Sequence, residues 1–177
     1  HEDEAFSLRS FSFWTIRPEL VVINAAEDNL ALAEAFREKA ALDSPVIGIC
    51  CQLEADLLGL SPEEQREFLA PLGLEEPAFG RVIRAAFGLL GLISFFTIGK
   101  DEVKSWVIPA GTRAPRAAGT IHKDFERGFI KAEVVHFEEF KGSGNSWTAL
   151  KAGGKLRLEG KEYVVRDGDI IQFRFNI

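Results

Sequence analysis

The chain has 177 residues, enough for one domain or for two small ones. Apolar residues make up 46% and charged residues 27%, an ordinary balance for a soluble globular protein, and no apolar run reaches the roughly 20 residues of a membrane span. The two cysteines, Cys50 and Cys51, are adjacent, which disfavours a relaxed disulfide and supplies too few ligands for a zinc site. These features predict a reducing, cytoplasmic setting and no membrane partner.

The formal net charge of −6 is unevenly distributed along the chain. Residues 1–97 carry 7 basic and 16 acidic residues, a net −9, and residues 98–177 carry 14 basic and 11 acidic residues, a net +3. A basic C-terminal part fits a module that contacts RNA phosphates, although a mixed, solvated surface gives the same excess. Nothing in this pattern points to DNA.

The chain opens on His1 and contains no methionine. Its first ten residues, HEDEAFSLRS, are acidic and polar, unlike a secretory signal. They are typical of the end of a helix or loop whose start lies further upstream. We therefore expect the chain to be part of a larger protein.

Two short apolar runs with a helical pattern between them predict a βαβ unit. The run Glu19–Ile23 has the near-continuous apolar character of a parallel strand that is buried on both faces. Residues 30–41 have helical periodicity, with Asp28 or Asn29 as the expected cap. Val46–Cys50 is the second predicted strand.

The segments that follow these two strands are the candidate ligand-binding loops. In sheets of this kind, ligands lie beyond the carboxyl ends of the strands. The two loops in that position are residues 24–27 and residues 50–54.

Two helices are predicted next. Ser61 caps the first helix, Pro62 fits its first position and Glu64 completes a capping box. This helix is expected to run to about residue 70, and the second begins at Pro77.

Residues 92–97 change to strand character, and we place a domain boundary there, with domains at residues 1–97 and 98–177. The second domain is predicted to contain a strand at 103–108, a helix at 115–129, a strand at 130–137, a flexible loop at 142–146 and a terminal β-meander. Two strands, a helix and further strands are the order of a β-grasp fold.

The terminal stretch alternates as a half-buried strand does. Asp167-Gly168 predicts a tight turn, since glycine accepts positive φ without steric cost. After it, Ile171, Phe173 and Phe175 point to one side of the predicted strand, and the residues between them are polar.

Three long strings in this chain resemble the Obg-like ATPases of the YchF family. They are LRLEGKEYVVRDGDIIQFRFNI at residues 156–177, LLGLISFFTIGKDEVKSW at residues 89–106 and APRAAGTIHKDFERGFIKAEVVHFEEF at residues 114–140. The resemblance implies a partial P-loop-type nucleotide domain, of α/β class, followed by a TGS domain, a ubiquitin-like β-grasp module of α+β class. It also implies binding and hydrolysis of ATP, with GTP used more weakly, by the intact protein.

The same resemblance gives Asn24-Ala25-Ala26-Glu27 a role in purine recognition. It is similar to the family's Asn-x-x-Glu motif, and Asn24, Ala25 and Glu27 would contact the base. Adenine offers an amino donor where guanine has an acceptor oxygen, so a longer carboxylate side chain can suit adenine. The alternative is a polar turn in which Glu27 only supports a helix N-terminus.

Cys50 and Cys51 stand where the family has its second base-contacting loop, which acts mostly through backbone N–H groups. The resemblance therefore implies that Cys50 and Cys51 contact the base. The alternative is that the cysteine pair is small apolar filler at a strand end.

Basic residues of the second domain are predicted to contact rRNA or tRNA, with the ribosome as the expected partner. The predicted RNA-binding set is Lys104, Lys123, Arg127, Lys131, Arg157 and Arg166.

The chain lacks the G-x-x-x-x-G-K-[ST] phosphate loop, since Gly99-Lys100 is followed by Asp101. Phosphoryl transfer needs a phosphate cradle and Mg²⁺, so this segment alone is predicted to be inactive, to contain no catalytic residue and to lack the metal ligands. Two other hypotheses stay open: a non-enzymatic TGS-type adaptor that binds RNA or protein, and a metal or thiol enzyme built on the cysteines and histidines.

Overall fold

The structure is a computed structural model that describes residues 11, 13–99 and 102–176. The chain forms two compact units, His1–Leu90 and Gly91–Ile177. The division lies seven residues before the predicted boundary, because the segment that was expected to close the first domain pairs within the second unit. The expectation for the first ten residues lies outside the described residues.

The first unit is built around two parallel strands. Its elements are β1 (Val21–Asn24), α1 (Leu32–Ala40), β2 (Val46–Ile49), α2 (Cys51–Leu57), α3 (Pro62–Leu69) and α4 (Ala78–Leu89), with 3₁₀ turns at Trp14–Ile16, Glu27–Asn29 and Ala70–Leu72. Val21 lies opposite Val46 and Asn24 lies opposite Ile49, which confirms the predicted parallel pairing. Leu53, Leu57 and Leu69 form the core of this unit with Cys50.

Two local predictions for the first unit are wrong. The strand β1 is not buried on both faces: the side chains alternate between half-buried and exposed, and Val22 is 42% exposed. The helix α1 has Ala31 as its N-cap and no capping side chain, so neither Asp28 nor Asn29 caps it. The physical reason is that both residues are wound into the 3₁₀ turn that precedes the helix.

The predicted capping box at α3 is confirmed. The Glu64 backbone N–H donates to the Ser61 hydroxyl at 3.4 Å, and the Ser61 backbone N–H donates to the Glu64 carboxylate at 2.7 Å. The hydrogen bond from the Ser61 backbone lowers the pKa of Glu64 from its ordinary value.

The second unit is a five-stranded mixed sheet with short helices. Its elements are β3 (Leu92–Ile98), β4 (Val103–Pro109), α5 (Ala114–Ile121), α6 (Lys123–Arg127), β5 (Phe129–His136), α7 (Phe137–Gly142), α8 (Trp147–Ala152), β6 (Arg157–Glu159) and β7 (Asp169–Phe175). The strand order is β4-β3-β7-β5-β6. The pair β3–β7 is parallel, and the other neighbouring strands are antiparallel.

The sheet of the second unit is covered on both faces. On one face, Ala117 and Ala118 of α5 pack in a core with Phe95, Val134 and Ile171. On the other face, Val135, Leu150 and Ile170 form a second cluster, to which Trp147 of α8 also contributes. In the part of the chain that the structure describes, no helix is long and apolar enough to cross a membrane.

The predicted terminal β-meander is wrong. The last strand β7 lies between β3 and β5 and does not pair with β6, so the turn at Asp167-Gly168 leads into the middle of the sheet. The alternation itself is confirmed, because Ile171 and Phe173 are buried while Gln172 and Arg174 are exposed. Alternation identifies a strand's faces, whereas its neighbours depend on contacts that are distant in sequence.

The predicted helix at residues 115–129 is interrupted. His122 has an extended backbone with φ −159° and ψ 141°, which ends α5, and its ring accepts a hydrogen bond from the Asp124 N–H that starts α6. Phe129 already belongs to β5. The predicted loop at 142–146 is short, since Gly142 ends α7 and Ser146 caps α8.

Candidate functional site

The carboxyl ends of β1 and β2 are tied together by a side chain from the predicted purine motif. The Asn24 Oδ1 accepts a hydrogen bond from the Cys51 backbone N–H at 3.0 Å. The Ala25 backbone N–H donates to the Ile49 carbonyl oxygen at 2.9 Å, which extends the pairing one residue past β1. The structure therefore brings Asn24, Ala25 and Cys51 to one edge of the sheet.

The second predicted loop is the start of a helix, because α2 begins directly at Cys51. Cys50 is its N-cap, and the Cys50 Sγ accepts from the Leu53 backbone N–H at 3.5 Å. Cys50 is buried and Cys51 is exposed. The early helix start follows from the bond to Asn24, which satisfies one of the N–H groups that a helix N-terminus leaves without an intrahelical partner.

Glu27 lies close to this edge in sequence. It opens the 3₁₀ turn that follows β1, and its side chain is exposed. Within the described residues, no hydrogen bond joins it to Cys50 or Cys51.

An apolar cavity of about 650 Å³ opens beside these residues in the first unit. Of the five predicted base-contacting residues, Cys51 lines it, together with Val22, Ile49, Leu58 and Phe79 among others. Across residues 11, 13–99 and 102–176, no group of three or more His, Cys, Asp and Glu side chains could hold a metal ion.

Sequence reasoning missed a cap that positions α4. The Glu54 carboxylate accepts hydrogen bonds from the Ala78 N–H at 2.7 Å and the Phe79 N–H at 3.2 Å. The signal was the helix start itself, because α4 opens after Pro77 and lacks a capping side chain of its own. From α4, Arg81 then donates to the Gly48 carbonyl oxygen at 3.1 Å, which ties this helix to β2.

The six basic residues predicted to contact RNA lie in several different parts of the second unit. Lys123 and Arg127 line a cavity of about 670 Å³ beside α5, and the Lys104 Nζ lies 4.4 Å from the ring centroid of Trp106. Lys131 is exposed on β5, opposite Arg174 on β7. Arg166 also has an exposed side chain. The sixth residue, Arg157, is described next.

Arg157 takes part in an internal polar cluster. Its guanidinium lies 3.4 Å from both the Tyr163 hydroxyl and the Asp169 Oδ1. The Tyr163 hydroxyl donates to the Asp169 Oδ2 at 2.6 Å, and the Arg166 backbone N–H donates to the same oxygen at 2.9 Å. These contacts hold the guanidinium against a fully buried carboxylate, so Arg157 contributes to the stability of the unit.

The hydroxyl of Tyr163 is expected to lose its proton at a higher pH than an ordinary tyrosine. Burial, followed by the hydrogen bond to Asp169, raises the pKa of Tyr163 to about 12. This folded-state pKa lies above the unfolded value of roughly 10, so the stability it contributes is complete below pH 10 and is lost as the pH rises toward 12. Tyr163 is the only tyrosine, so tyrosinate absorbance reports it alone.

The measurement is a spectrophotometric titration of the folded chain and of the chain in concentrated urea. We expect a midpoint of about 12 when folded and of roughly 10 when unfolded. A midpoint near 10 in the folded chain would show that the cluster does not form.

Comparison with known proteins identifies the family of this chain. The family model YchF-GTPase_C, described as a protein of unknown function (DUF933), matches residues 92–176. A protein named "Ribosome-binding ATPase YchF" from Escherichia coli O157:H7 is 45% identical over 182 aligned residues, which cover 99% of this chain and 49% of that protein. The chain belongs to the YchF family of Obg-like ATPases.

Other members of the family are similarly related to this YchF-family chain. "Obg-like ATPase 1" of Gallus gallus is 39% identical over 184 aligned residues, covering 99% of this chain and 46% of that protein. The solved structure of the Schizosaccharomyces pombe YchF GTPase matches with a TM-score of 0.78 and 30% identity, over 94% of this chain and 46% of that one. The chain thus spans about half the length of the curated relatives it matches.

Proposed function

We propose that this chain is the carboxy-terminal part of a ribosome-associated nucleotide hydrolase that binds ATP and, more weakly, GTP. Relatives named ribosome-binding ATPase and Obg-like ATPase match 99% of the chain and support this function. Phosphoryl transfer requires a phosphate cradle and Mg²⁺, and we assign both to the part of such proteins that this chain does not span. The ribosome-binding relatives also support a cytoplasmic location.

The first unit is proposed to hold the purine base at the carboxyl ends of β1 and β2. The observation that carries this proposal is the 3.0 Å hydrogen bond between the Asn24 side chain and the Cys51 N–H. It fixes the two strand-end segments next to each other, at the edge where parallel sheets bind ligands. Ala25 and Cys50 flank that bond in the two segments, so their backbones are the nearest contacts for a base.

Glu27 is proposed to favour adenine over guanine. Its exposed carboxylate can accept a hydrogen bond, and the N6 amino group of adenine is a donor at the position where guanine carries an acceptor oxygen. A carboxylate facing that oxygen leaves two acceptors without a proton between them, which costs binding energy.

The second unit is proposed to be a TGS-type β-grasp domain that contacts the ribosome. Its strand order β4-β3-β7-β5-β6, with α5 packed on one face, supports this assignment. The net charge of +3 on residues 98–177 and the exposed side chains of Lys131 and Arg166 support contact with RNA phosphates.

Replacing Asn24 by Ala in the complete gene product tests the base site. We expect ATP binding to weaken about tenfold or more, equivalent to about 1.4 kcal/mol, because the Asn24→Ala variant loses the bond that joins the two strand-end segments. The measurement is the dissociation constant of ATP by isothermal titration calorimetry.

The matched control is Asn29→Ala, at an exposed position of the 3₁₀ turn that follows β1, where the described structure shows no side-chain hydrogen bond. It should leave the affinity for ATP unchanged. Equal effects of the two variants would contradict the proposed site. A complete gene product that binds neither ATP nor GTP would instead favour the non-enzymatic adaptor.

A further inference from the structure

The outer edge of β4 has backbone groups that are open to a partner. In the part of the chain that the structure describes, β4 is the end strand of the sheet. The Gly99 N–H donates to the Glu102 carbonyl oxygen at 2.8 Å, and the Ala110 N–H donates to the Gly91 carbonyl oxygen at 2.7 Å. In an antiparallel pair, every second residue forms backbone hydrogen bonds to the neighbouring strand. These two bonds therefore show which residues of β4 are bonded to β3. The residues whose N–H and C=O groups point away from β3 are Val103, Ser105 and Val107.

This edge carries one charged residue, Lys104, and a proline only at its last position, Pro109. The side chains of Val103 and Val107 are 70% and 44% exposed. The seven residue pairs of β3 and β4 follow one register without a bulge. Edge strands are normally shielded by charges, bulges, prolines or short length, and the opposite edge strand β6 has only three residues. The strand β4 is therefore the edge of this sheet that can accept a further strand.

The side chains beside this edge select a negatively charged partner. The charged side chains that line a cavity of about 670 Å³ next to β4 are three basic ones, Arg116, Lys123 and Arg127, and one acidic one, Glu126. Arg116 lies 3.5 Å from Glu126, and Arg127 lies 3.8 Å from Asp124. Within the described residues, neither Lys104 nor Lys123 has a carboxylate within 4.0 Å. The positive charge on this side of β4 is thus left partly uncompensated.

The two faces of β4 differ in polarity, and the difference predicts the partner's pattern. Lys104 and Trp106 lie opposite Thr97 and Phe95, on the face that carries α5. Val103 and Val107 lie on the other face, because successive strand residues alternate. Side chains also alternate along an added strand. Every second side chain would therefore lie beside the lysines, and the side chains between them would lie beside the two valines.

We propose that the outer edge of β4 binds an extended acidic segment of a partner protein, which adds to the sheet as a sixth strand. The segment alternates acidic and apolar residues, with carboxylates facing Lys104 and Lys123 and apolar side chains facing Val103 and Val107. The backbone ladder to Val103, Ser105 and Val107 supplies affinity, and the alternating side chains supply specificity. This partner is additional to the proposed nucleotide and RNA contacts.

The probe is a fluorescent, acetylated seven-residue peptide that alternates valine and glutamate, titrated into the 177-residue chain. A peptide that alternates valine and lysine is the charge control. We expect binding of the first peptide at least tenfold tighter than of the second, with slowed amide exchange at Val103, Ser105 and Val107. Failure of the glutamate peptide to bind at millimolar concentration would overturn the proposal.

Ser105→Pro is the sharpest variant, because it deletes an outward N–H and leaves the ladder to β3 complete, a position where edge strands tolerate proline. The Ser105→Pro variant should bind the glutamate peptide at least tenfold more weakly, whereas the matched Ser105→Ala variant should bind it as the parent chain does. Lys104→Glu combined with Lys123→Glu should also weaken it at least tenfold, by reversing the charge beside the edge. Amide spectra of each variant establish that the unit stays folded.

Two other occupants give distinct results that overturn the proposal. A single-stranded RNA of equal charge that binds through Lys104 and Lys123, without slowing exchange at the outward amides, would assign this surface to nucleic acid. Concentration-dependent protection of the same amides without peptide would assign the edge to a second copy of this chain.

Discussion

Replacing Asp169 by Ala is expected to destabilise the second unit by about 3–5 kcal/mol. The Asp169 carboxylate is fully buried and accepts hydrogen bonds from the Tyr163 hydroxyl and the Arg166 N–H, at 2.6 and 2.9 Å. Its removal leaves these donors and the Arg157 guanidinium without their shared acceptor. The loss falls at the start of β7, the strand that joins β3 to β5, so the whole sheet should weaken.

The measurement for Asp169→Ala is urea unfolding together with amide exchange of β5 and β7. Glu162→Ala is the control, because its carboxylate is 80% exposed and, among the described residues, pairs with Arg113 at the surface. Surface ion pairs are worth about 0–1 kcal/mol. A loss below about 1 kcal/mol for Asp169→Ala, similar to the control, would contradict the role of the buried cluster.

Replacing Gly48 by Ala is expected to destabilise the first unit by about 1–3 kcal/mol, the usual cost of overpacking. A Cβ at this position of β2 would lie 2.7 Å from the Leu30 carbonyl oxygen and 3.1 Å from the Ala33 Cβ. Backbone cannot yield as a flexible side chain does, so β2 and α1 must separate. Because Cys51 lies two residues after the end of β2, we also expect the Asn24–Cys51 hydrogen bond to lengthen.

The matched control for Gly48→Ala is Gly88→Ala, in α4. A Cβ there meets nothing within 4 Å, and alanine is favoured over glycine within helices by about 0.5–1 kcal/mol. Urea unfolding should therefore show opposite signs for the two variants. Equal stability of Gly48→Ala and the parent chain would mean that β2 and α1 are not packed as closely as described.

The local chemistry of this chain was predictable from sequence. The capping box of Ser61 and Glu64 and the buried side of β7 depend on residues within a few positions of each other. The place of β7 between β3 and β5 was not predictable from its alternation, because both neighbours are distant in sequence. The helix break at His122 was also missed, since its extended backbone is compatible with an apolar pattern that continues into α6.

The candidate site shows the same division. The resemblance of short motifs predicted its residues. It did not predict the contacts between them, which join residues that are distant in sequence. Asn24 meets Cys51 over 27 positions, and Glu54 caps α4 over 24 positions. The contacts of the Arg157 guanidinium with Tyr163 and Asp169 were likewise not predictable from its neighbours in sequence.

The measurement that tests the base site most directly is the pair of dissociation constants for ATP and GTP, in the complete gene product with Mg²⁺. We predict that ATP binds at least about tenfold more tightly, a difference of about 1.4 kcal/mol, and that Glu27→Asp reduces this ratio. GTP binding as tight as ATP binding, or a ratio that Glu27→Asp leaves unchanged, would contradict the reading of adenine by Glu27 at the ends of β1 and β2.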